Sequence, residues 1–370
     1  MTFARVLTVV GARPQFIKAA PVSRAIAAAS GLTEIVVHTG QHFSPDMSDI
    51  FFEELEMSAP AHHLGVAGGS HGQMTGRMLE AIDGVISEER PDVVLVYGDT
   101  NSTLAGALAA AKLNVPVAHV EAGLRSFNRS MPEELNRVVT DHLSDLLLCP
   151  TQAAVDNLRR EGIVEGVHQV GDVMFDAALH SGDRAEGRSN IIEALELTEG
   201  SYAVATVHRA ENTANAQQLQ AVIAYLEDVA RTMQVVLPVH PRTRQAAGKF
   251  GVSLDRLRAI APVGYLDMAR LLRGAALVLT DSGGLQKEAY FHRVPCVTLR
   301  SETEWVETVN SGWNRLWSIE DWATPRRDIA DYGDGTAALG VVRWLADHVL
   351  DGDRPCTAGG PESLDGSDDR

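Results

Sequence analysis

The chain has 370 residues, long for a single compact core, so two domains are expected. Its composition is that of an ordinary globular protein, 45% hydrophobic and 22% charged, and no apolar run reaches the roughly 18 residues of a membrane span. A formal net charge of −17 argues against a nucleic-acid or anionic-membrane partner and requires any anion site to gather its cations locally.

The first apolar run lacks a small-residue cleavage pattern and reads as a buried strand, Val6–Val10, not a signal peptide. It leads into Gly11-Ala12-Arg13-Pro14-Gln15-Phe16-Ile17-Lys18, where Arg13 and Lys18 set two cations near a helix start. Such a pair suits a diphosphate and is equally common as solvated surface charge. Further strands are expected at Glu34–His38, Val93–Tyr97, Val117–Val120 and Leu146–Cys149. The second half repeats the pattern at Tyr202–Val207, Gln234–Val239, Leu277–Thr280 and Cys296–Leu299. Strands alternating with helical segments mean parallel sheets covered by helices, an α/β chain. The division falls near Val170-Gly171-Asp172, giving one domain over 1–170 and a second over 171–350. Residues 351–370, rich in Gly, Pro, Ser and Asp, are expected to form a disordered acidic tail. Cys149, Cys296 and Cys356 show no metal or redox spacing, so a reducing cytoplasm is the expected compartment.

Ligands of open α/β sheets bind beyond the carboxyl ends of strands, and the loops there carry the polar residues. In Asp281-Ser282-Gly283-Gly284 a capping Ser and two glycines let backbone N–H groups approach an anion, although the same pattern serves as a plain helix cap. Glu288, in the first turns of that helix, can accept hydrogen bonds from ribose hydroxyls. Asp99, Glu121 and Glu133 supply carboxylates at or just beyond neighbouring strand ends. An enzyme that moves a proton on and off carbon needs an acid and a base on opposite faces of the ring. Any one of the three is more often a cap or an ion-pair partner; their convergence is the stronger signal. Glu134 reads as the structural neighbour of Glu133, and Arg137 as a partner of carboxylate or phosphate. His208 can donate to a phosphate or shuttle a proton, and it is about as well suited to a structural hydrogen bond. No metal-ligand spacing and no nicotinamide fingerprint occurs, so neither metal nor cofactor is expected.

Together these segments resemble the non-hydrolysing UDP-N-acetylglucosamine 2-epimerase family from Val6 to about Leu316. The resemblance is carried by Gly11-Ala12-Arg13-Pro14, Gln41-His42, Gly98-Asp99-Thr100, Val120-Glu121-Ala122-Gly123-Leu124-Arg125, Pro132-Glu133-Glu134 with Asn136-Arg137, His208-Arg209, Pro238-Val239-His240-Pro241 and Asp281-Ser282-Gly283-Gly284. It implies a GT-B fold, two Rossmann-like doubly wound domains with the active site in the cleft between them, assembled as a homodimer. It implies Asp99, Glu121 and Glu133 as catalytic carboxylates, and His208 as the histidine near the diphosphate. Arg13, Ser282, Gly283, Gly284 and Glu288 match UDP-contacting positions. The implied reaction eliminates UDP to a 2-acetamidoglucal and re-adds it with C2 protonated from the other face.

Two departures stand out. The family's Thr-Glu-Arg-Pro-Glu loop reads Thr303-Glu304-Trp305-Val306-Glu307, which bears on sugar identity. Gly72-Gln73 and Ser44 differ from the positions through which bacterial members bind a second UDP-N-acetylglucosamine. Three rivals remain at this stage: a hydrolysing epimerase of the same fold, a GT-B glycosyltransferase, and a UDP-sugar sensor without turnover.

Overall fold

The computed structural model describes residues 3–41, 52, 54–323 and 325–350. His42, Ser44, Cys356 and the expected tail lie outside the described residues. The strands form two sheets, one of seven strands and one of six, and every pairing within them is parallel.

The first sheet comprises β1 (Ala4–Val10), β2 (Leu32–His38), β3 (His62–His63), β4 (Val93–Tyr97), β5 (Val117–Val120), β6 (Leu146–Cys149) and β7 (Val167–Gln169). Their spatial order is 3-2-1-4-5-6-7. The second comprises β8 (Tyr202–Thr206), β9 (Gln234–Pro238), β10 (Arg258–Ile260), β11 (Leu277–Thr280), β12 (Cys296–Thr298) and β13 (Asn314–Leu316). Its order, 10-9-8-11-12-13, repeats the Rossmann pattern. Both chains of strands reverse direction across the sheet at a switch point: between β1 and β4 in one, between β8 and β11 in the other. The loops that follow those four strands contain Arg13, Asp99, His208 and Ser282.

The nine strands expected from apolar runs are all present, most within a residue or two of the expected ends. Four more, β3, β7, β10 and β13, take the outer edges of the two sheets. Each is two or three residues long and only partly buried, so none produces the near-continuous apolar run of a central parallel strand.

Local chemistry fixes the first switch point. Gln15 is 1% exposed; its side-chain carbonyl accepts from the backbone N–H of Gly11 at 2.9 Å and Ala12 at 3.1 Å. Its amide donates to the Tyr97 carbonyl and to Thr103 Oγ1, both at 3.0 Å. One side chain therefore ties the loop after β1 to the loop after β4. The last helix, Ala337–Leu350, follows the second sheet in sequence but packs on the first: Ala337, Val341 and Leu345 share a core with Phe16 and Ala20. Asp176 accepts its opening N–H groups from Ala337 at 3.1 Å and Ala338 at 2.8 Å.

Candidate active site

Glu121 follows β5 directly in a left-handed backbone conformation, φ 72°, which a non-glycine residue adopts at a cost. Its carboxylate is 9% exposed and has a lysine on each side. Lys18 donates to Oε2, and Lys287 Nζ lies 3.5 Å from Oε1. Burial works against ionisation, yet the two ammonium charges hold the carboxyl down at about 2. Gly98 (φ 63°) lies against this pair: an added β-carbon would stand 3.0 Å from Lys18 Nζ and 3.1 Å from Glu121 Oε2, close enough to push both charged groups aside.

The neighbouring Asp99 is held from the helix Pro132–Leu143. Arg137 bonds its carboxylate, and Asn136 Nδ2 donates to its backbone carbonyl at 2.9 Å. Glu134, 2% exposed, accepts the backbone N–H groups of Ser126 and Phe127 at 2.9 Å each and Arg137 Nη1 at 3.0 Å. It is scaffolding, as its place in the pair suggested. Glu133 stands half-buried on the same first turn; among the described residues no hydrogen bond or ion pair joins it to Asp99 or Glu121. His119, fully buried in β5, contributes an unforeseen brace: Nδ1 is 2.7 Å from Asp141 and Nε2 is 2.8 Å from the Gly98 carbonyl.

The second sheet builds its half around Asp281, which is 0% exposed. Its carboxylate accepts the backbone N–H groups of His208 and Arg209 at 2.9 Å and Asn212 Nδ2 at 3.0 Å, while His208 Nδ1 lies 3.2 Å away. Ser282 then caps the helix Gly283–Phe291, its side chain accepting the backbone N–H of Leu285. Glu288, on that helix, is pushed up to about 7 by burial, with the charges of Arg13 and Lys287 opposing the shift. Arg13, from the first sheet, thus acts on the second sheet's carboxylate.

Lys287 joins the halves. It is 1% exposed, 2.6 Å from Asp172 Oδ2, 3.5 Å from Glu121 Oε1, and 4.1 Å from the centre of the Trp305 ring. Asp99, Arg137, Glu121, Lys18, Lys287, Glu288 and Arg13 accordingly form a continuous chain of hydrogen bonds, ion pairs and charge interactions. His208 and Ser282 are tied to each other through the Asp281 carboxylate and backbone. Sequence reasoning gave no role to Lys287, Asp172 or His119, and quoted Asp281 in the loop motif without assigning it one. The signal available for Lys287, Asp172 and Asp281 was a charged residue inside an otherwise apolar or capping segment.

Two Rossmann-ordered parallel sheets covered by helices define a two-domain α/β chain of GT-B type. It belongs to the UDP-N-acetylglucosamine 2-epimerase family, whose model matches residues 24–346, and is an isomerase. The UDP-2,3-diacetamido-2,3-dideoxy-D-glucuronate 2-epimerase of Pseudomonas aeruginosa is 53% identical over 357 residues, covering 92% of this chain and 99% of the relative. A UDP-N-acetylglucosamine 2-epimerase homolog from Methanococcus maripaludis is 52% identical over 319 residues, 84% of this chain and 88% of its own. The crystal structure of Methanocaldococcus jannaschii UDP-GlcNAc 2-epimerase in complex with UDP-GlcNAc and UDP superposes with a TM-score of 0.79. It is 39% identical, covering 94% of this chain and 99% of that one.

Proposed function

We propose that the chain inverts C2 of a UDP-linked 2-acetamido sugar by eliminating and re-adding UDP, with the sugar never released free. The observation that carries this reading is the Glu121 carboxylate, held ionised between Lys18 and Lys287 and linked through Lys287 to the helix that starts at Gly283.

In the forward half, a carboxylate takes the C2 proton, the C2–H electron pair becomes the C1–C2 double bond, and the C1–O bond breaks with its pair leaving on UDP. The return half runs the same steps with the proton delivered to the other face. Arg13, Lys18, His208 and the N–H groups at Ser282–Gly284 receive the negative charge that develops on the departing diphosphate. Glu288 accepts from the ribose. Glu121, Asp99 and Glu133 provide the acid and base, with Arg137 orienting Asp99.

A carboxyl held at about 2 is a weak base. Lys18 is one of the reasons, and Lys18 also lies in the helix whose start faces the diphosphate. When the ammonium turns from Glu121 to a phosphate oxygen, the carboxylate becomes more basic. The base is then strengthened only once substrate is in place.

The sugar is best read as modified at C3 and C6. The Pseudomonas aeruginosa relative, named for a diacetamido uronate, favours this over unmodified UDP-N-acetylglucosamine, and Trp305 in the divergent loop agrees with it. We place the domain division near residue 170, with the last helix returning to the first domain. The free, buried thiols of Cys149 and Cys296 support a cytoplasmic setting. Phe127, Met131, Leu135 and Val139, all at least one-third exposed along one helix face and its approach, support a homodimer through that face.

An NMR time course with UDP-N-acetylglucosamine and its 2,3-diacetamido uronate counterpart tests the reading. A UDP-linked epimer from either supports it; free sugar plus UDP indicates a hydrolase, and no turnover of either removes it.

A further inference from the structure

The cations at the start of the helix Gly283–Phe291 already have a partner. Glu304 lies in the loop between β12 and the short helix Val306–Asn310. Its Oε2 accepts from Arg300 Nη1 at 2.8 Å, and its Oε1 is 3.7 Å from Arg209 Nη2. Arg300 is 8% exposed and comes from the end of β12, whereas Arg209 follows the β8 loop that Asp281 braces. A β-carbon added to Gly283 would meet Glu304 Oε1 at 2.5 Å and Trp305 Nε1 at 3.3 Å. The carboxylate is therefore seated directly over the first residue of the helix, where the dipole and the unpaired N–H groups favour negative charge.

Resting on the UDP-sugar reading above, we infer that Glu304 is an internal competitor for the anionic group that the site binds. Two anions cannot share that position at close range, so the ligand must displace the carboxylate from Arg300, Arg209 and the helix start. The neighbouring Trp305 shares the loop and carries the Lys287 contact, so displacement also reports to the Lys287–Glu121 pair. A neutral nucleoside meets no such competitor. In a protein with net charge −17, an internal carboxylate keeps this cluster of cations paired and makes the site selective for ligands that bring their own strong anion.

Glu304→Gln keeps the shape and removes the charge. Calorimetry with UDP, UDP-glucuronic acid and uridine, on parent and variant, reads the effect. The expected result is UDP binding tightened about ten-fold in the variant, with uridine unchanged, and a smaller gain at high salt. Tightening confined to UDP-glucuronic acid also upholds the inference and assigns the anion to the sugar carboxylate. UDP and UDP-glucuronic acid affinities that are unchanged or weaker in Glu304→Gln overturn it while leaving the UDP-sugar reading intact. A parent protein that binds no UDP overturns both. Arg300→Gln serves as the converse variant and should weaken whichever ligand Glu304→Gln tightens, UDP or UDP-glucuronic acid alone.

Discussion

Lys287 holds its ammonium 4.1 Å from the centre of the Trp305 ring, placing the buried lysine beside the residue where the family's loop departs from its common form. The indole face is a neutral partner for a cation whose other neighbours, Asp172 and Glu121, are both carboxylates. An arginine at 305 would set a second cation against Lys287. Trp305→Arg should therefore lower stability by about 1–3 kcal/mol in urea unfolding, whereas Trp305→Phe, which keeps a π face, should cost less. If the residue also selects the sugar, Trp305→Arg changes kcat/KM unequally for UDP-N-acetylglucosamine and a C3- or C6-modified analogue. An equal change for every substrate removes the specificity role.

Lys287 itself is the stronger structural test. Lys287→Met leaves Asp172 and Glu121, both nearly or fully enclosed, without a shared cation. Breaking a buried ion-pair network in this way costs about 3–5 kcal/mol. A midpoint within experimental error of the parent would mean that the charges are solvated and the two halves are not joined there.

Glu288 gives a pH dependence of definite sign. Burial pushes its carboxyl up to about 7. The ionised form is the better acceptor for a ribose diol, so its share grows from about pH 6 to 8 and UDP affinity should rise across that window. The comparison is the ratio of Kd values for Glu288→Gln and parent, in which the ionisation of UDP itself cancels. A flat ratio contradicts the assignment. Glu288→Ala should weaken UDP by about 1.5–3 kcal/mol if a charged hydrogen bond to ribose is lost.

Asp281 orients His208 through both backbone and ring. In Asp281→Asn an amide N–H₂ faces donors that formerly met oxygen, and the imidazole loses its fixed partner. The expected outcome is a fall in kcat of about 10–100-fold with KM little changed, the scale seen when a group that orients a histidine is removed. A rise in KM alone would make Asp281 a binding residue.

The reach of sequence reasoning here has a physical boundary. Central parallel strands are buried on both faces, so β1, β4, β5, β8 and β11 announce themselves as apolar runs, and the polar residues after them mark the switch points. Edge strands of two or three residues leave no such trace. The capping place of Ser282 was equally legible, because the helix start it caps is its own neighbour in sequence. Lys287 was not, because its partners lie 115 residues away at Asp172 and 166 away at Glu121. The part played by Asp281 was hidden for the same reason: the groups on its carboxylate, from His208, Arg209 and Asn212, lie 69 to 73 residues earlier in the chain.

Inversion by elimination and re-addition requires that the hydrogen at C2 leave and another arrive from the opposite face. If two side-chain carboxyls serve the opposite faces of the ring, each exchanging protons with water, the arriving proton is solvent-derived. Glu121→Gln or Glu133→Gln should slow turnover by about 10²–10⁴-fold, the usual range for losing a positioned acid or base, and can let UDP and glucal escape. The direct measurement is the reaction in deuterium oxide, followed by NMR of the C2 position. The expected result is deuterium at C2 of the epimerised product and, on prolonged incubation, in the substrate pool as well. Epimerised product that keeps full protium at C2 would contradict it.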